Sequence, residues 1–112
     1  MGWFRNGARS ALEVDARRAH EMVRDGTGVL VDVREQWEWT QGHAPDAKHV
    51  PLDGIVARAG ELPRDRAVLF ICHSGNRSLT AAQYFQQLGY DALSVAGGIG
   101  AWAAEGLPVA RR

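Results

Sequence analysis

The sole cysteine of the chain, Cys72, stands where an apolar run ends and a polar, glycine-containing stretch begins. Ala67-Val68-Leu69-Phe70-Ile71 reads as a buried strand, Cys72-His73-Ser74-Gly75-Asn76-Arg77 as a short loop, and Ser78 to Phe85 as the start of a helix. A thiol between a strand end and a helix start lies where backbone N–H groups point at an anion. Such surroundings favour thiolate over thiol, and the thiolate is the nucleophile. The chemistry in view is attack by the sulfur of Cys72.

The energetics say what the loop must supply. An ordinary thiol has a pKa near ~8.5, so only a few per cent is ionised at neutral pH. A hundredfold gain in thiolate needs about 2.7 kcal/mol of preference for the anion. A helix N-terminus contributes roughly 0.3–1 kcal/mol, reaching ~2 in partly buried sites. The dipole alone falls short, so either several loop N–H groups converge on the sulfur or Arg77 stands nearby. Gly75 permits the tight turn that the first device needs, and Arg77 provides the second. His73 invites a Cys–His dyad. Neighbours in a loop seldom aim their side chains at each other, however, and no Asn or Asp is evidently placed to orient the ring. His73 is read instead as part of the rim, adding positive charge when protonated. The competing reading is a buried structural cysteine, the commoner fate of a lone Cys after an apolar strand. The polar continuation through Ser78 argues against it.

The elements that must position this loop alternate in type. Asp15 caps a helix over residues 16–25, ended by Gly26, with Ala16, Ala19, Met22 and Val23 on one face. Val29-Leu30-Val31-Asp32-Val33 is an apolar run broken by one carboxylate, as suits a strand covered on both faces. Residues 35–41 form a short helix closed by Gly42. Residues 49–52 form a short strand, and residues 53–62 a helical stretch ended by Pro63. After the loop, Ala81, Tyr84, Phe85 and Leu88 fall at helical spacing as a buried face, and Gly89 stops the helix. A last strand over 92–95 and a last helix over 98–105 follow. Alternating strands and helices predict an α/β domain with a mainly parallel sheet, whose ligands gather at the carboxyl ends of the strands. Cys72 is at such an end.

Bulk properties narrow the class. At 112 residues the chain is one domain with room for a core. Thirteen Lys+Arg balance thirteen Asp+Glu, so charge gives no reason to expect nucleic acid. A single cysteine forbids an intramolecular disulfide and any C-x-x-C pattern, and a reducing compartment, the cytoplasm, fits. No apolar stretch approaches the ~20 residues of a membrane span. The N-terminus lacks the apolar segment of a secretory signal, and Asn6 in place of Ser or Thr argues against myristoylation of Gly2.

At three ordered blocks the chain resembles the rhodanese family of sulfurtransferases, specifically the small single-domain type. These are Val31-Asp32-Val33-Arg34-Glu35 with Gly42-His43 and Pro45; Cys72 through Ser78; and Gly97-Gly98-Ile99 through Trp102, ending at Gly106-Leu107-Pro108. The resemblance spans roughly Asp15 to Val109. It implies a three-layer α/β domain over residues 13–112, behind an N-terminal lead-in over 1–12, with a central mainly parallel sheet of about five strands and helices on both faces. It further implies transfer of sulfane sulfur from a donor such as thiosulfate through a persulfide on Cys72. The acceptor is cyanide or an external thiol, and a sulfur-acceptor protein is a further partner. His73, Ser74, Gly75, Asn76 and Arg77 then bind the donor, with loop N–H groups cradling the anionic sulfur and Arg77 neutralising donor charge. No cofactor and no metal are implied. Phosphatases and arsenate reductases of the same fold place five residues between cysteine and arginine; four stand between Cys72 and Arg77, the spacing for sulfur. Many relatives carry arginine where this chain has His73, so the loop is expected to be less positive. A non-catalytic sulfur-carrier or binding module of the same fold is the first alternative, and a phosphatase or arsenate reductase of that fold the second.

Other residues have structural readings. Asp32 needs a partner inside its strand, either loop N–H groups or a cation. Arg34 and Glu35 are expected in ion pairs that fix the following loop, with Arg34 also able to face a cleft. His43 and His49 lack metal-ligand spacing and are expected to be hydrogen-bonded parts of the framework. Trp37 and Trp39, two apart, point to different helix faces and should not share one role. Gly98-Ile99-Gly100-Ala101-Trp102-Ala103 fits a loose dinucleotide pattern, but no strand and ribose-binding carboxylate follow; Gly97 and Gly98 are read as turn residues.

Overall fold

The two longest apolar runs lie side by side at the centre of a five-stranded sheet. The computed structural model describes residues 12–111, so the lead-in expected over 1–12 lies, apart from Leu12, outside the described residues. The elements are β1 (Glu13–Val14), α1 (Ala16–Arg24), β2 (Gly28–Asp32), α2 (Gln36–Gln41), β3 (Lys48–His49), β4 (Ala67–Ile71), α3 (Asn76–Gln87), β5 (Ala92–Val95) and α4 (Gly98–Ala104). The strand order is β1-β5-β4-β2-β3, and every strand pairing is parallel. Asp32 registers with Ile71, so the two central strands end level with each other and deliver Cys72 to the carboxyl edge of the sheet.

Alternation along β4 divides the core. Val68 and Phe70 pack with Val31 of β2 and with Ala81, Ala82 and Phe85 of α3. Leu69 and Ile71 face the other way, with Leu30, Ala16 and Ala19 of α1, and Trp102 of α4. This period of two, buried on both sides, is what makes β4 uniformly apolar. The result is the three-layer α/β arrangement expected from sequence.

Local chemistry explains the ends. Asp15 accepts the Arg18 N–H at 2.8 Å, starting α1. The expected helix over 53–62 is absent: the chain there makes two single 3-10 turns, Leu52–Gly54 and Ala59–Glu61. Gly54 and Gly60 each cost a helix about 1 kcal/mol, and the Leu52 N–H is drawn to Val33 O at 3.0 Å, tying the start of the segment to the sheet. The strand expected over 49–52 shortens accordingly to Lys48–His49. In α3 the inward stripe is Ser78, Ala81, Ala82 and Phe85, whereas Tyr84 and Leu88 are each 42% exposed. Both stripes have helical spacing; the small residues win because they let α3 sit close on the sheet. Among the described residues no helix is long and apolar enough to cross a membrane.

Candidate active site

The site begins with a glycine. Gly75 is the N-cap of α3 at φ +110°, a left-handed conformation that glycine adopts freely. That turn sets the Gly75 N–H 3.1 Å and the Ser78 N–H 3.3 Å from Cys72 Sγ. Ser78 Oγ lies 3.4 Å from the same sulfur. It also lies 2.8 Å from Ser94 Oγ, a buried hydroxyl on β5, and 3.2 Å from Gly75 O. Burial pushes the Cys72 thiol up. The Ser78 hydroxyl and the N–H groups of Ser78, Gly75 and Ser74 outweigh it, so the thiol titrates below its ordinary value.

The outer side of the loop is held just as firmly. From the first turn of α4, the Ile99 N–H donates to Cys72 O at 2.8 Å and the Gly100 N–H to His73 O at 3.3 Å. With these carbonyls engaged by α4, the Gly75 and Ser78 amides are left for the sulfur. Gly98, at φ +58°, makes the approach possible: a Cβ there would stand 2.5 Å from His73 O. The glycine pair read as turn residues is therefore also the loop's outer support.

The loop residues take different stations. Cys72 is 1% exposed. His73, Ser74 and Asn76 are exposed, and Gly75 and Arg77 are half-buried. His73 lines a cleft of about 420 Å³ together with Arg34, Trp37, Glu38, Ile99 and Val109. Arg77 points its fork at Glu38 of α2, with Nη1–Oε1 and Nη2–Oε2 both 2.8 Å. Glu38, with a smaller part from the charge of Cys72, holds the guanidinium above its ordinary range. Conversely, Arg77 lowers the Glu38 carboxyl to about 2, and Glu38 Oε1 also accepts the Glu35 N–H at 3.0 Å. Glu35 and Glu38 thus start α2 as a reciprocal capping box, the Glu35 side chain accepting the Glu38 N–H in return, in place of the expected ion pair.

The frame around the cleft is polar but internally matched. Asp32 is wholly buried and receives the Arg34 N–H at 3.0 Å and Arg34 Nη2 at 2.8 Å; Arg34 Nη2 also donates to Gly42 O at 2.7 Å. Both expected partners of Asp32, a loop N–H and a cation, come from this one residue. Trp39 stacks between His43, 3.5 Å away, and His49, 4.6 Å away, whereas Trp37 is 63% exposed on the cleft. The two tryptophans have separate roles. The ring of His43 bonds Trp39 O through Nδ1, and that of His49 bonds Arg34 O through Nε2, each at 2.8 Å. Among the described residues no cluster of three or more His, Cys, Asp or Glu is placed to hold a metal ion.

Sequence reasoning missed three members of this constellation. Ser78 was visible as the first-turn residue six places after Cys72, and Ser94 as the one hydroxyl within the apolar β5. Glu38 gave no local signal, since it lies 39 residues from Arg77.

Comparisons with known proteins converge on one family. The model of the Rhodanese-like domain matches residues 15–105. A protein of Allochromatium vinosum named a sulfurtransferase is 42% identical over 99 residues, covering 87% of this chain and 92% of that protein. The crystal structure of a rhodanese-related protein from Thermoplasma volcanium superposes with a TM-score of 0.83 at 31% identity, over 90% of this chain and 99% of that one. A rhodanese-like domain protein from Staphylococcus aureus gives 0.76 at 30% identity, over 87% and 96% respectively.

Proposed function

The chain belongs to the rhodanese-like domain family, and from that membership we propose a sulfurtransferase that carries sulfane sulfur as a persulfide on Cys72. The observation that carries this reading is the convergence of the Gly75 N–H, the Ser78 N–H and the Ser78 hydroxyl on one sulfur. These donors favour the thiolate over the thiol, and the thiolate is the form that attacks.

In the first half-reaction the Cys72 thiolate attacks the outer sulfur of a donor such as thiosulfate. The S–S bond of thiosulfate breaks, sulfite leaves with the bonding pair, and Cys72–S–S⁻ remains. In the second, cyanide or an external thiolate attacks the outer sulfur. Thiocyanate or a new persulfide departs, and Cys72 returns as thiolate. With one cysteine in the chain, no internal thiol resolves the persulfide, so the acceptor comes from outside. His73 to Arg77 form the mouth through which donor and acceptor arrive, and a lone thiol suits the reducing cytoplasm.

The test is intact mass after incubation with thiosulfate in large excess. One sulfur is expected to be added, and cyanide to remove it with release of thiocyanate. Cys72→Ser is expected to show neither. Undiminished thiosulfate:cyanide transfer by Cys72→Ser overturns the proposal.

A further inference from the structure

We infer that Ser94 is a positioning residue for the return of Cys72 to thiolate: its buried hydroxyl turns the Ser78 hydrogen toward Cys72 Sγ, where charge collects as the persulfide is discharged. The half-reaction it serves rests on the persulfide reading above.

Hydrogen counting gives the direction. Ser94 lies on β5, wholly buried. It shares a strand face with Ala92, which packs in the core beneath α3, and so meets Ser78 of that helix. Its Oγ lies 2.8 Å from Ser78 Oγ, its one side-chain partner among the described residues. Were Ser78 to donate to Ser94, the Ser94 hydrogen would be buried without an acceptor, the costlier arrangement. Ser94 therefore donates, and the single hydrogen of Ser78 is left for Cys72 Sγ at 3.4 Å or Gly75 O at 3.2 Å. Gly75 O already accepts the Leu79 N–H at 3.1 Å. An anionic sulfur draws the hydrogen more strongly than a carbonyl, so the chain runs from Ser94 to Ser78 to sulfur. It ends blind at a buried hydroxyl. It orients a hydrogen and carries no proton to solvent.

Charge movement says which step gains. In the resting site the negative charge sits on Sγ, and in Cys72–S–S⁻ it sits on the outer sulfur. When thiosulfate is attacked, charge leaves Sγ, so donors held there oppose the step once the thiol is already ionised. On discharge, the cyanide carbon bonds to the outer sulfur and the S–S bond of Cys72 breaks. Its electron pair returns to Sγ as thiocyanate departs. Donors already aimed at Sγ stabilise that returning charge, and a less basic thiolate is the better leaving group. Ser94, acting through Ser78, thus favours the second half-reaction over the first.

The test is a double-mutant cycle of Ser94→Ala and Ser78→Ala in the full chain. Thiolate absorbance gives the Cys72 midpoint. Steady-state transfer well above that midpoint gives kcat/KM for thiosulfate, which reports the attack, and for cyanide, which reports the discharge. Adjoining hydrogen bonds strengthen one another by roughly 10–30%. With the direction of the Ser78 hydrogen also lost, Ser94→Ala should lower the cyanide constant about threefold without lowering the thiosulfate constant. The same substitution in the Ser78→Ala background should move neither the midpoint nor the ratio of the two constants. Ser94→Thr, which keeps the hydroxyl, should restore the unmodified ratio. An equal fall in both constants overturns the inference, as does a Ser94→Ala effect of the same size with and without the Ser78 hydroxyl. If the doubly substituted chain does not fold, Ser94→Ala and Ser94→Thr decide, and equal ratios overturn it. Absence of any transfer by the unmodified protein refutes the persulfide reading instead, and the thiolate midpoints then decide whether Ser94 acts through Ser78.

Discussion

Replacing Ser78 by alanine tests the electrostatic account of the site most directly. The substitution deletes the hydroxyl 3.4 Å from Cys72 Sγ and keeps the N–H groups of Gly75 and Ser78 at 3.1 and 3.3 Å. Hydrogen bonds to a charged partner contribute about 1.5–3 kcal/mol, and a long contact to a soft sulfur belongs at the low end. About 1.5 kcal/mol is close to a tenfold change in equilibrium, so at any pH below the titration midpoint the thiolate population should fall about tenfold. A more basic thiolate is a better nucleophile, which returns roughly threefold per ionised molecule. The alkylation rate with iodoacetamide should therefore drop only about threefold, while the thiolate absorbance midpoint rises by the full amount. Ser94 loses its partner as well, at a cost of about 1–3 kcal/mol of stability, so the titration belongs well below the unfolding temperature. Ser94→Ala should move the midpoint the same way by less, because the Ser78 hydroxyl is then free to turn to Gly75 O, 3.2 Å away. A Ser78→Ala midpoint equal to or below that of the unmodified protein refutes the reasoning.

Two further outcomes follow from other contacts. Gly98→Ala forces a Cβ against the Cys72 and His73 carbonyls. It should disrupt two hydrogen bonds of about 1 kcal/mol each and add about 1 kcal/mol of left-handed strain; calorimetry should show a fall in Tm of about 10 °C, and a change under roughly 2 °C counts against the close approach. Glu38 titrates at about 2 in the folded protein, below the unfolded value near ~4.3, so its pairing with Arg77 contributes fully above pH ~4.5 and is lost as pH falls toward 2. The gap in urea midpoint between the unmodified protein and Glu38→Gln should be widest near about pH 6 and closed near about pH 2; a gap that persists in acid speaks against the pair.

The parts of this molecule legible in the sequence are those whose cause is local. β4 announces itself because a strand buried on two faces has no polar positions to spare, and the loop after it because Gly75 and a helix start follow at once. Asp15 and Gly89 mark their helix ends by capping chemistry alone. Residues 53–62 misled because apolar spacing such as Ile55 to Leu62 suits a helix, while Gly54, Gly60 and the Leu52 bond to Val33 decide otherwise. Tyr84 and Leu88 misled because two stripes of α3 share one period, and only the sheet selects between them. The pairing of Glu38 with Arg77, and of Ser78 with Ser94, depends on where distant elements dock. No window of sequence contains both partners.

That the Cys72 sulfur is met by two backbone N–H groups and one hydroxyl, with the nearby Arg77 guanidinium already paired to Glu38, has a consequence for ionic strength. Dissolved ions screen separated charges over a Debye length of about 8 Å at physiological concentration, but buried short-range contacts are screened much less. The ionisation of Cys72 should thus be nearly the same in dilute buffer and in concentrated brine. Whatever salt does at this site, it will do to the approach of charged visitors and not to the readiness of the sulfur.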